Sequence, residues 1–523
     1  MNRYRQHKTS PQRPMRSLKG QTMLLRMSIA AAAISAAATT AQGAIVDGHC
    51  YLQGEPYPFD CHTRVEIDNS IIHPPVYTDC DGYYRWLAVA PLSYHTFTYE
   101  HPGYWPDEQT DWIPPLGKTL DPVTLESKAL CGTLTYPYCP PEWEYCFPDA
   151  EKKHNPTSLY RLEWWYVNFH LTDEDGWEYA GIVSFFKPPV LGAPALSLIS
   201  VIDLQQGVQY SDAKLPLVFS ASDEYLDVRI GVDGRFYNRK CCGVLAPFEY
   251  HVHASGLDSG VLWLDMDMKA LKWPMLVSGD GYVEFGSEDW SYYYSHPRLD
   301  VLGTLHLPGF PALGKEVRGT AWIDHQWGNF FADSVSWEWL SIQLDDDREI
   351  MVANVWVGDE PLGSYSGGLN FYDDNCELEV LEPYCMTPIA SWTDPVTQKE
   401  FAVAWHVSEH TRQIDLTVTA VFDDQIMRLG ENQIFSANFW EGACTVTGTI
   451  DGEPVQGTAM AEVTHSPPDD GCPADFDADC DVDTADLLYL LANWGTPDGD
   501  VDGDGDTDTA DLLALLAAWG DCP

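Results

Sequence analysis

The chain has 523 residues, which is too long for one ordinary domain, and its 79 acidic residues outnumber 29 basic ones to give a net charge of −50. We therefore expect three or four domains, and the negative charge argues against nucleic acid and anionic membrane surfaces as partners. The 14 cysteines, several closely spaced, predict disulfide bonds formed in an oxidising compartment.

The N-terminal segment has the composition of a signal peptide. Seven Lys or Arg and no acidic residue occur in the first 26 positions, and the apolar run Met27–Ala38 follows and leads into small residues. This run of about 12 residues is shorter than the roughly 20 that cross a bilayer, and no later stretch is both longer and uncharged. Residues 1–43 are thus predicted to direct export, giving a secreted or cell-surface protein without a transmembrane segment.

Two small segments follow. Residues 44–128 alternate short β-type runs with turn residues and predict a β-sandwich. The pattern around Gly54, Thr78–Gly82 and Pro102–Tyr104 resembles carboxypeptidase regulatory-like domains, which implies a spacer or docking role. Residues 129–155 are rich in Cys, Pro and Tyr and are predicted to be a linker stapled by disulfides.

The central region, residues 156–465, consists of short strands separated by Gly, Pro or Asp-Gly breaks, and it shows no sustained helical period. Antiparallel strands in this number favour closed barrels, because closure removes exposed sheet edges. We predict two barrels, formed by residues 156–300 and 301–465.

The C-terminal segment, residues 466–523, contains 16 Asp and no Lys, Arg or Glu, and it repeats one aspartate-rich motif after 25 residues. The spacing fits two EF-hand loops, in which carboxylates and one backbone carbonyl surround Ca²⁺. The predicted ligands are Asp475, Asp477, Asp479, Asp481, Asp483 and Asp486 in the first loop and Asp500, Asp502, Asp504, Asp506, Asp508 and Asp511 in the second. Like charges at this density should repel, so folding is expected to require two Ca²⁺ ions.

Each predicted loop leads into an apolar helix that ends in Trp-Gly, and its last ligand is Asp instead of Glu. Both features resemble dockerin repeats. The resemblance implies a cohesin-like protein or cell-surface scaffold as partner, and it associates the chain with extracellular polysaccharide-degrading assemblies. Cys480 stands where the first loop would take the turn glycine. Cys472 and Cys522 bracket the module as candidates for a disulfide, with Cys480 as a competing partner.

Three central stretches, Leu162–Leu171, Tyr292–Gly328 and Phe439–Gly448, together resemble the carotenoid 1,2-hydratase (CrtC/AttH-like) family, whose fold is a pair of lipocalin-like barrels. The fold class is therefore expected to be mainly β, with a small helical module at the C-terminus. The resemblance implies a cavity for an apolar or phenolic small molecule and the hydration of a carbon–carbon double bond, with no organic cofactor.

Strand alternation divides the candidate site residues between two faces. In Trp322–Gly328, Asp324 shares a face with Trp322, and His325 shares the other with Trp327. A carboxylic acid and an imidazole are suitable groups for protonating an alkene and moving the proton. The resemblance implies Asp324, His325 and Trp327 as the catalytic core, with Asp324 as the acid or as the partner of His325. The substrate-binding candidates are Glu163, Trp165, Tyr166 and Trp322, and the spare carboxylates are Glu338 and Glu441.

The sequence leaves two other functions open. The strand after the site offers Val352 and Asn354 where the hydratases of the family are expected to carry Tyr and Asp, which favours a non-enzymatic binding protein for a hydrophobic ligand. The third hypothesis is a glycan-active protein, prompted by the dockerin-like repeat and by 20 tryptophans. There is no GxSxG, HExxH or phosphate-binding glycine loop, which argues against serine hydrolase, zinc protease and nucleotide chemistry.

Overall fold

A computed structural model describes most of the chain after the predicted signal peptide, which lies outside the described residues. The described residues are 43–55, 59–68, 74–141, 143–154, 162–188, 194–232, 234–256, 261–285, 289–329, 335–357, 360–361, 368–428, 439–464, 472–476, 481–503 and 505–521. No helix among them is long and apolar enough to cross a membrane.

The N-terminal module is the predicted small sandwich of two four-stranded sheets, with strand orders β4-β1-β7 (β8 also on β1) and β3-β2-β5-β6. Its strands are β1 (Ala44–Leu52), β2 (Arg64–Ile67), β3 (Val76–Tyr77), β4 (Tyr83–Val89), β5 (Ser93–Glu100), β6 (Asp107–Ile113), β7 (Lys118–Thr119) and β8 (Val123–Leu125). Alternate residues of β1, including Val46 and Cys50, are buried in one shared core, as expected of strands with one face toward solvent.

The first large sheet has thirteen strands in the order β12-β11-β10-β9-β21-β20-β17-β16-β15-β14-β13, with β18 and β19 also on β20. They are β9 (Leu162–Asp173), β10 (Glu178–Phe186), β11 (Leu196–Asp203), β12 (Val208–Lys214), β13 (Phe219–Ala221), β14 (Asp227–Ile230), β15 (Gly234–Cys241), β16 (Val244–Ser255), β17 (Trp263–Ala270), β18 (Met275–Leu276), β19 (Tyr282–Phe285), β20 (Asp289–His306) and β21 (Lys315–Asn329).

The second large sheet has eleven strands in the order β26-β25-β23-β22-β32-β31-β29-β28-β27, with β24 on β23 and β30 on β31. They are β22 (Val335–Leu344), β23 (Glu349–Val357), β24 (Glu360–Pro361), β25 (Leu369–Tyr372), β26 (Leu378–Leu381), β27 (Tyr384–Thr393), β28 (Glu400–Glu409), β29 (Ile414–Ala420), β30 (Ile426–Met427), β31 (Phe439–Ile450) and β32 (Glu453–Val463).

Both sheets are antiparallel and curled, so the predicted mainly β, lipocalin-like fold class is confirmed. Each is a half-barrel, however, since the end strands of a sheet do not pair with each other in the described residues. Full closure is not needed because the halves cover one another through a shared apolar cluster, here called the seam, to which both contribute side chains. The predicted barrel boundary at residue 300 was wrong: it falls inside β20, and the first half-barrel runs to Asn329.

Residues 129–154 do more than link two modules. Leu134, Phe147 and Ala150 are buried in the core of the first half-barrel, so this segment packs into that core and we call it the plug. The carboxylate of Glu151, at the end of the plug, accepts hydrogen bonds from Tyr136, Tyr250 and Asn238. The predicted staple is present as Cys139–Cys146.

Three further disulfides between described residues join the modules and confirm the predicted oxidised thiols. Cys61–Cys241 and Cys80–Cys242 attach the sandwich to β15 and the turn after it, and Cys131–Cys376 attaches the plug to the second half-barrel. Cys472 is also disulfide-bonded, and both of its predicted partners, Cys480 and Cys522, lie outside the described residues.

The C-terminal module contains two helices, α1 (Thr484–Ala492) and α2 (Thr509–Ala517), and the short strands β33 (Asp481–Val482) and β34 (Gly520–Asp521), which pair. Asp483 and Asp508 cap the helices in matching capping boxes with Asp486 and Asp511. Leu490 and Leu515 fill a small common core. The duplicated sequence therefore produces a duplicated structure.

Candidate functional site

Two adjacent strands at the centre of the first sheet carry the candidate residues. In the antiparallel ladder of β9 and β21, Asp324 lies opposite Tyr166, and His325 lies opposite Trp165. The strand is regular through this region, as the sequence predicted, so neighbouring residues point to opposite faces. One face belongs to the seam, and the other faces the interior of the first half-barrel, under the plug.

On the seam face, the Asp324 carboxyl is buried and held by three neutral donors. Tyr293 donates its hydroxyl to Oδ2 at 2.9 Å, Trp322 donates Nε1–H to Oδ1 at 2.7 Å, and Ser295 also donates to Oδ1. No Lys or Arg of the described chain forms an ion pair with it. Burial therefore raises the pKa of Asp324 to about 6, although the three hydrogen bonds act in the opposite direction.

Two more carboxyls lie nearby, contributed by the second half-barrel. Glu441 on β31 and Glu462 on β32 are directly opposite in the ladder, and Tyr166 donates its hydroxyl to Glu441 at 2.6 Å. Burial, and then the proximity of like charges, raises the pKa of Glu441 well above its usual range, and burial raises that of Glu462. Trp339 stands edge-on to the ring of Tyr166 at 5.7 Å. The seam thus holds carboxyls with raised pKa values among aromatic rings.

On the interior face, the Glu163 carboxylate is surrounded by nitrogen groups. Its Oε1 lies 3.2 Å from Nδ1 of His154 and 3.3 Å from Nε2 of His325, and Lys187 donates Nζ–H to Oε2 at 2.7 Å. Although burial opposes ionisation, hydrogen bonds from the two histidines and the charge of Lys187 hold the pKa of Glu163 far below its usual range. We call these four residues the Glu163 cluster.

Indole rings fix both imidazoles of the cluster. His325 stacks on Trp165 at 4.8 Å, and His154 stacks on Trp327 at 3.7 Å with their planes within 2°. Burial lowers the pKa of His325 to about 4, so this ring is neutral at pH 7. Trp165 and Trp327 are therefore packing partners of the histidines inside the half-barrel.

The structure separates the predicted catalytic residues into two groups. Asp324 and the candidates Trp322 and Tyr166 lie at the seam, whereas His325, Trp327, Glu163 and Trp165 belong to the interior. The predicted alternative in which Asp324 pairs with His325 was wrong, because adjacent strand residues face opposite ways and the carboxylate beside His325 is Glu163. Of the spare carboxylates, Glu441 joins the seam, and Glu338 lies inside the second half-barrel, where burial raises its pKa to about 8.

Sequence reasoning missed several residues at both places. They are Tyr293, Ser295 and Glu462 at the seam, and His154, Lys187 and Tyr294 in the interior. Tyr293 and Ser295 carried a usable signal, since they alternate in β20 beside the motif that contains Asp324. His154 carried no such signal, because residues 129–155 have the composition of a linker.

At the C-terminus, Asp500, Asp502 and Asp511 place carboxylate oxygens within 4.8 Å of one another. Asp511 accepts backbone N–H bonds from Val501 and Asp502, and Asp500 accepts them from Gly503 and Gly505. In the first loop, Asp475 and Asp486 are the positions equivalent to Asp500 and Asp511. The predicted ligands Asp477, Asp479 and Asp504, and the side chain of Asp481, lie outside the described part of the chain.

Residues 138–466 match the AttH-like family. The chain belongs to this family. The match begins inside the plug and spans both half-barrels, so the plug forms part of the AttH-like unit. It confirms the resemblance read from the central stretches, while the dockerin-like and carboxypeptidase regulatory-like assignments stay predictions. No match was found among curated proteins.

Two solved structures are similar to this chain. The crystal structure of a protein assigned to AttH from Nitrosomonas europaea is similar to this AttH-like chain with a TM-score of 0.52 and 25% identity, covering 62% of this chain and 99% of that one. Kievitone hydratase from Nectria haematococca matches with a TM-score of 0.49 and 17% identity, covering 64% of this chain and 99% of that one.

Proposed function

We propose that this AttH-like chain adds water to a carbon–carbon double bond of an apolar or phenolic substrate, at the seam between its half-barrels. The observation that carries the proposal is the state of Asp324. Its carboxyl is buried, its donors are neutral, and its raised pKa of about 6 keeps a useful fraction of the acid form near neutral pH. A general acid works best with a pKa near the working pH.

In the proposed reaction, the Asp324 carboxyl alone supplies one proton and takes one back. Asp324 gives its proton to one alkene carbon, which forms a C–H bond and leaves a cation on the neighbouring carbon. Water attacks that carbon and loses a proton to the Asp324 carboxylate, which restores the acid. The rings of Trp322, Tyr166 and Trp339 would stabilise the cation by cation–π contact, and a phenolic substrate would spread the charge further.

The other site residues have distinct proposed roles. Tyr166 and Glu441, hydrogen-bonded to each other, suit the positioning of water because both remain uncharged at neutral pH. His325, Trp327, Glu163 and Trp165 act from the opposite face as positioning residues that hold β9 and β21 in register.

A second candidate is non-catalytic binding of a hydrophobic ligand at the same seam. The strand after the site favours it: Val352 is buried in the second half-barrel core, and Asn354 donates to the carbonyl of Met386. That strand therefore brings neither residue to Asp324 as a polar partner.

We also propose that the C-terminal module binds two Ca²⁺ ions and attaches the chain to a cohesin-like protein or cell-surface scaffold. The converging carboxylates of Asp500, Asp502 and Asp511 support the metal. Exposed apolar residues repeated on both helices, including Leu488 and Leu513, support a docking surface. Export is supported by the disulfides. A place in an extracellular polysaccharide-degrading assembly remains the second alternative.

Turnover tests the hydratase proposal. Purified protein is extracted for bound ligand, and phenolic and isoprenoid alkenes are then incubated with it in ¹⁸O-labelled water and analysed by mass spectrometry. We expect label in the product and a loss of about 100- to 10,000-fold in kcat for Asp324→Asn. Asp415→Asn, at a surface position of the second half-barrel, is the matched control. Ligand binding without turnover in the wild type would establish the carrier instead.

Calcium binding is tested on the whole protein by equilibrium dialysis. Two ions per chain are expected, and Asp511→Asn should remove one of them, since this carboxylate closes the second loop. Asp498→Asn, a neighbouring position outside the predicted ligands, should retain both. If the wild type binds no calcium, the attachment proposal fails.

A further inference from the structure

We propose that His154, Glu163 and His325 form a binding site for one divalent transition-metal ion of the zinc type, which fastens the plug to the first half-barrel. Each of the three residues comes from a different segment: the plug, β9 and β21. The site lies on the face of β21 opposite Asp324. Metal binding at this site would therefore be independent of the proposed hydration.

The distances within the cluster fit ligands of a common ion. Zinc binds nitrogen and oxygen ligands at about 2.0–2.2 Å in a tetrahedral arrangement, which places neighbouring ligand atoms about 3.3 Å apart. The Oε1 of Glu163 lies 3.2 Å from Nδ1 of His154 and 3.3 Å from Nε2 of His325. An ordinary N–H···O hydrogen bond is about 2.7–3.2 Å long, so both distances lie at the long end of that range or beyond it.

Hydrogen bonding alone leaves the cluster poorly satisfied. Glu163 Oε1 already accepts the backbone N–H of His154 at 2.8 Å, so two imidazole donors would make three on one oxygen. A metal ion would use nitrogen lone pairs and relieve the crowding at Oε1.

The ligand set is also rigid. Trp165 and Trp327 stack on the two imidazoles, and the Tyr294 hydroxyl lies 3.3 Å from Nδ1 of His325, on the side away from Glu163. For His325 this hydroxyl is the partner on the second nitrogen that metal-bound histidines usually have, and it sets the ring orientation. Both rings are thus held with nitrogens directed at Glu163 before any ion arrives.

Lys187 is the charge that opposes a metal. Its Nζ contacts Oε2 of Glu163 and the carbonyl of His154, which leaves Oε1 to the ion. Two other histidines of this half-barrel differ: His251 and His253 lie at its partly exposed face, beside Asp265 and Asp267. They supply a natural comparison for the test.

Metal content and spectroscopy test the site on the full-length protein. The protein is stripped with chelator, loaded with Zn²⁺ or Co²⁺ in excess Ca²⁺ so that the C-terminal loops are occupied, and dialysed. We expect one retained Zn²⁺ per chain and an intense visible Co²⁺ absorption that indicates tetrahedral coordination. Both should be lost in Glu163→Gln and His154→Gln, and both should persist in the control His253→Ala.

A measurement on the wild type alone guards against variants that fail to fold. X-ray absorption of the zinc-loaded protein should show two imidazoles and no sulfur in the first shell. The proposal is overturned if the wild type retains no metal, if the variants retain as much as the wild type, or if the scattering shows another ligand set. The first outcome would leave a purely hydrogen-bonded clasp between plug and sheet.

Discussion

The two faces of one pair of strands handle buried carboxyls in opposite ways. At the seam, Asp324 meets hydroxyl and indole donors and no cation among the described residues, and its pKa is raised by burial. On the interior face, Glu163 meets two imidazoles and Lys187, and its pKa is lowered. The two sites lie on neighbouring strands of one ladder. Charge state is therefore set by the partners that each face recruits, and depth of burial does not decide it.

The largest expected difference between the faces is in stability. Glu163→Gln leaves Lys187 with no carboxylate at 2.7 Å in a largely buried place, so we expect a loss of about 3–5 kcal/mol. Glu441→Gln replaces a group that is already neutral and keeps an acceptor for Tyr166, so about 1 kcal/mol or less is expected. Urea unfolding at pH 7 in chelator, followed by tryptophan fluorescence, measures both. Equal losses would abolish the contrast.

The next largest effect is a fall in stability with rising pH. A carboxyl whose pKa is lowered on folding gives the opposite dependence. Because the pKa of Asp324 is higher in the folded state, its contribution to stability is complete below the unfolded pKa near 4 and is lost as pH rises through about 6. Between pH 4 and pH 7 the wild type should lose about 2 kcal/mol relative to Asp324→Asn, which does not titrate. Parallel stability profiles for the two proteins would show that Asp324 is ionised throughout.

The smallest effect separates two adjacent tyrosines of β20. Tyr293→Phe removes a donor that favours the Asp324 anion, so the pH midpoint of that carboxyl should move upward and stability should fall by about 1 kcal/mol. Tyr294→Phe removes a hydroxyl on the opposite face, beside His325, and should leave the midpoint in place. The midpoint is read from the pH profile of stability or of turnover. A shift in both variants would mean that the faces are coupled.

How far the sequence predicts this molecule depends on the range of the interaction. Alternation along β9 and β21 predicted both faces, because side-chain direction in a strand is local. It could not show that Glu163 would meet His154 and Lys187, since these residues lie at a chain segment read as a linker and just beyond the end of β10. Nor could it show that Glu441 would face Glu462, which depends on the register of a hairpin and the packing of two sheets.

The barrel boundary illustrates the same limit. β20 spans the predicted boundary at residue 300 and β21 follows it, yet β21 pairs with β9 in the middle of the first sheet. Such a pairing joins segments about 150 residues apart, and hydrophobic patterning carries no information on partners at that distance. The C-terminal module behaves differently, because each loop and helix is specified within one repeat.

The plug also constrains the order in which the chain can fold. Its buried Glu151 and His154 also have partners on strands made much later, among them Tyr250 and His325. During synthesis the plug is therefore made before the strands that it packs against. It cannot dock until β9 and β21 have paired. Contacts over such separations are slow to form. The disulfide between Cys139 and Cys146, which are seven positions apart, can form early. It would keep the plug compact until the sheet has formed.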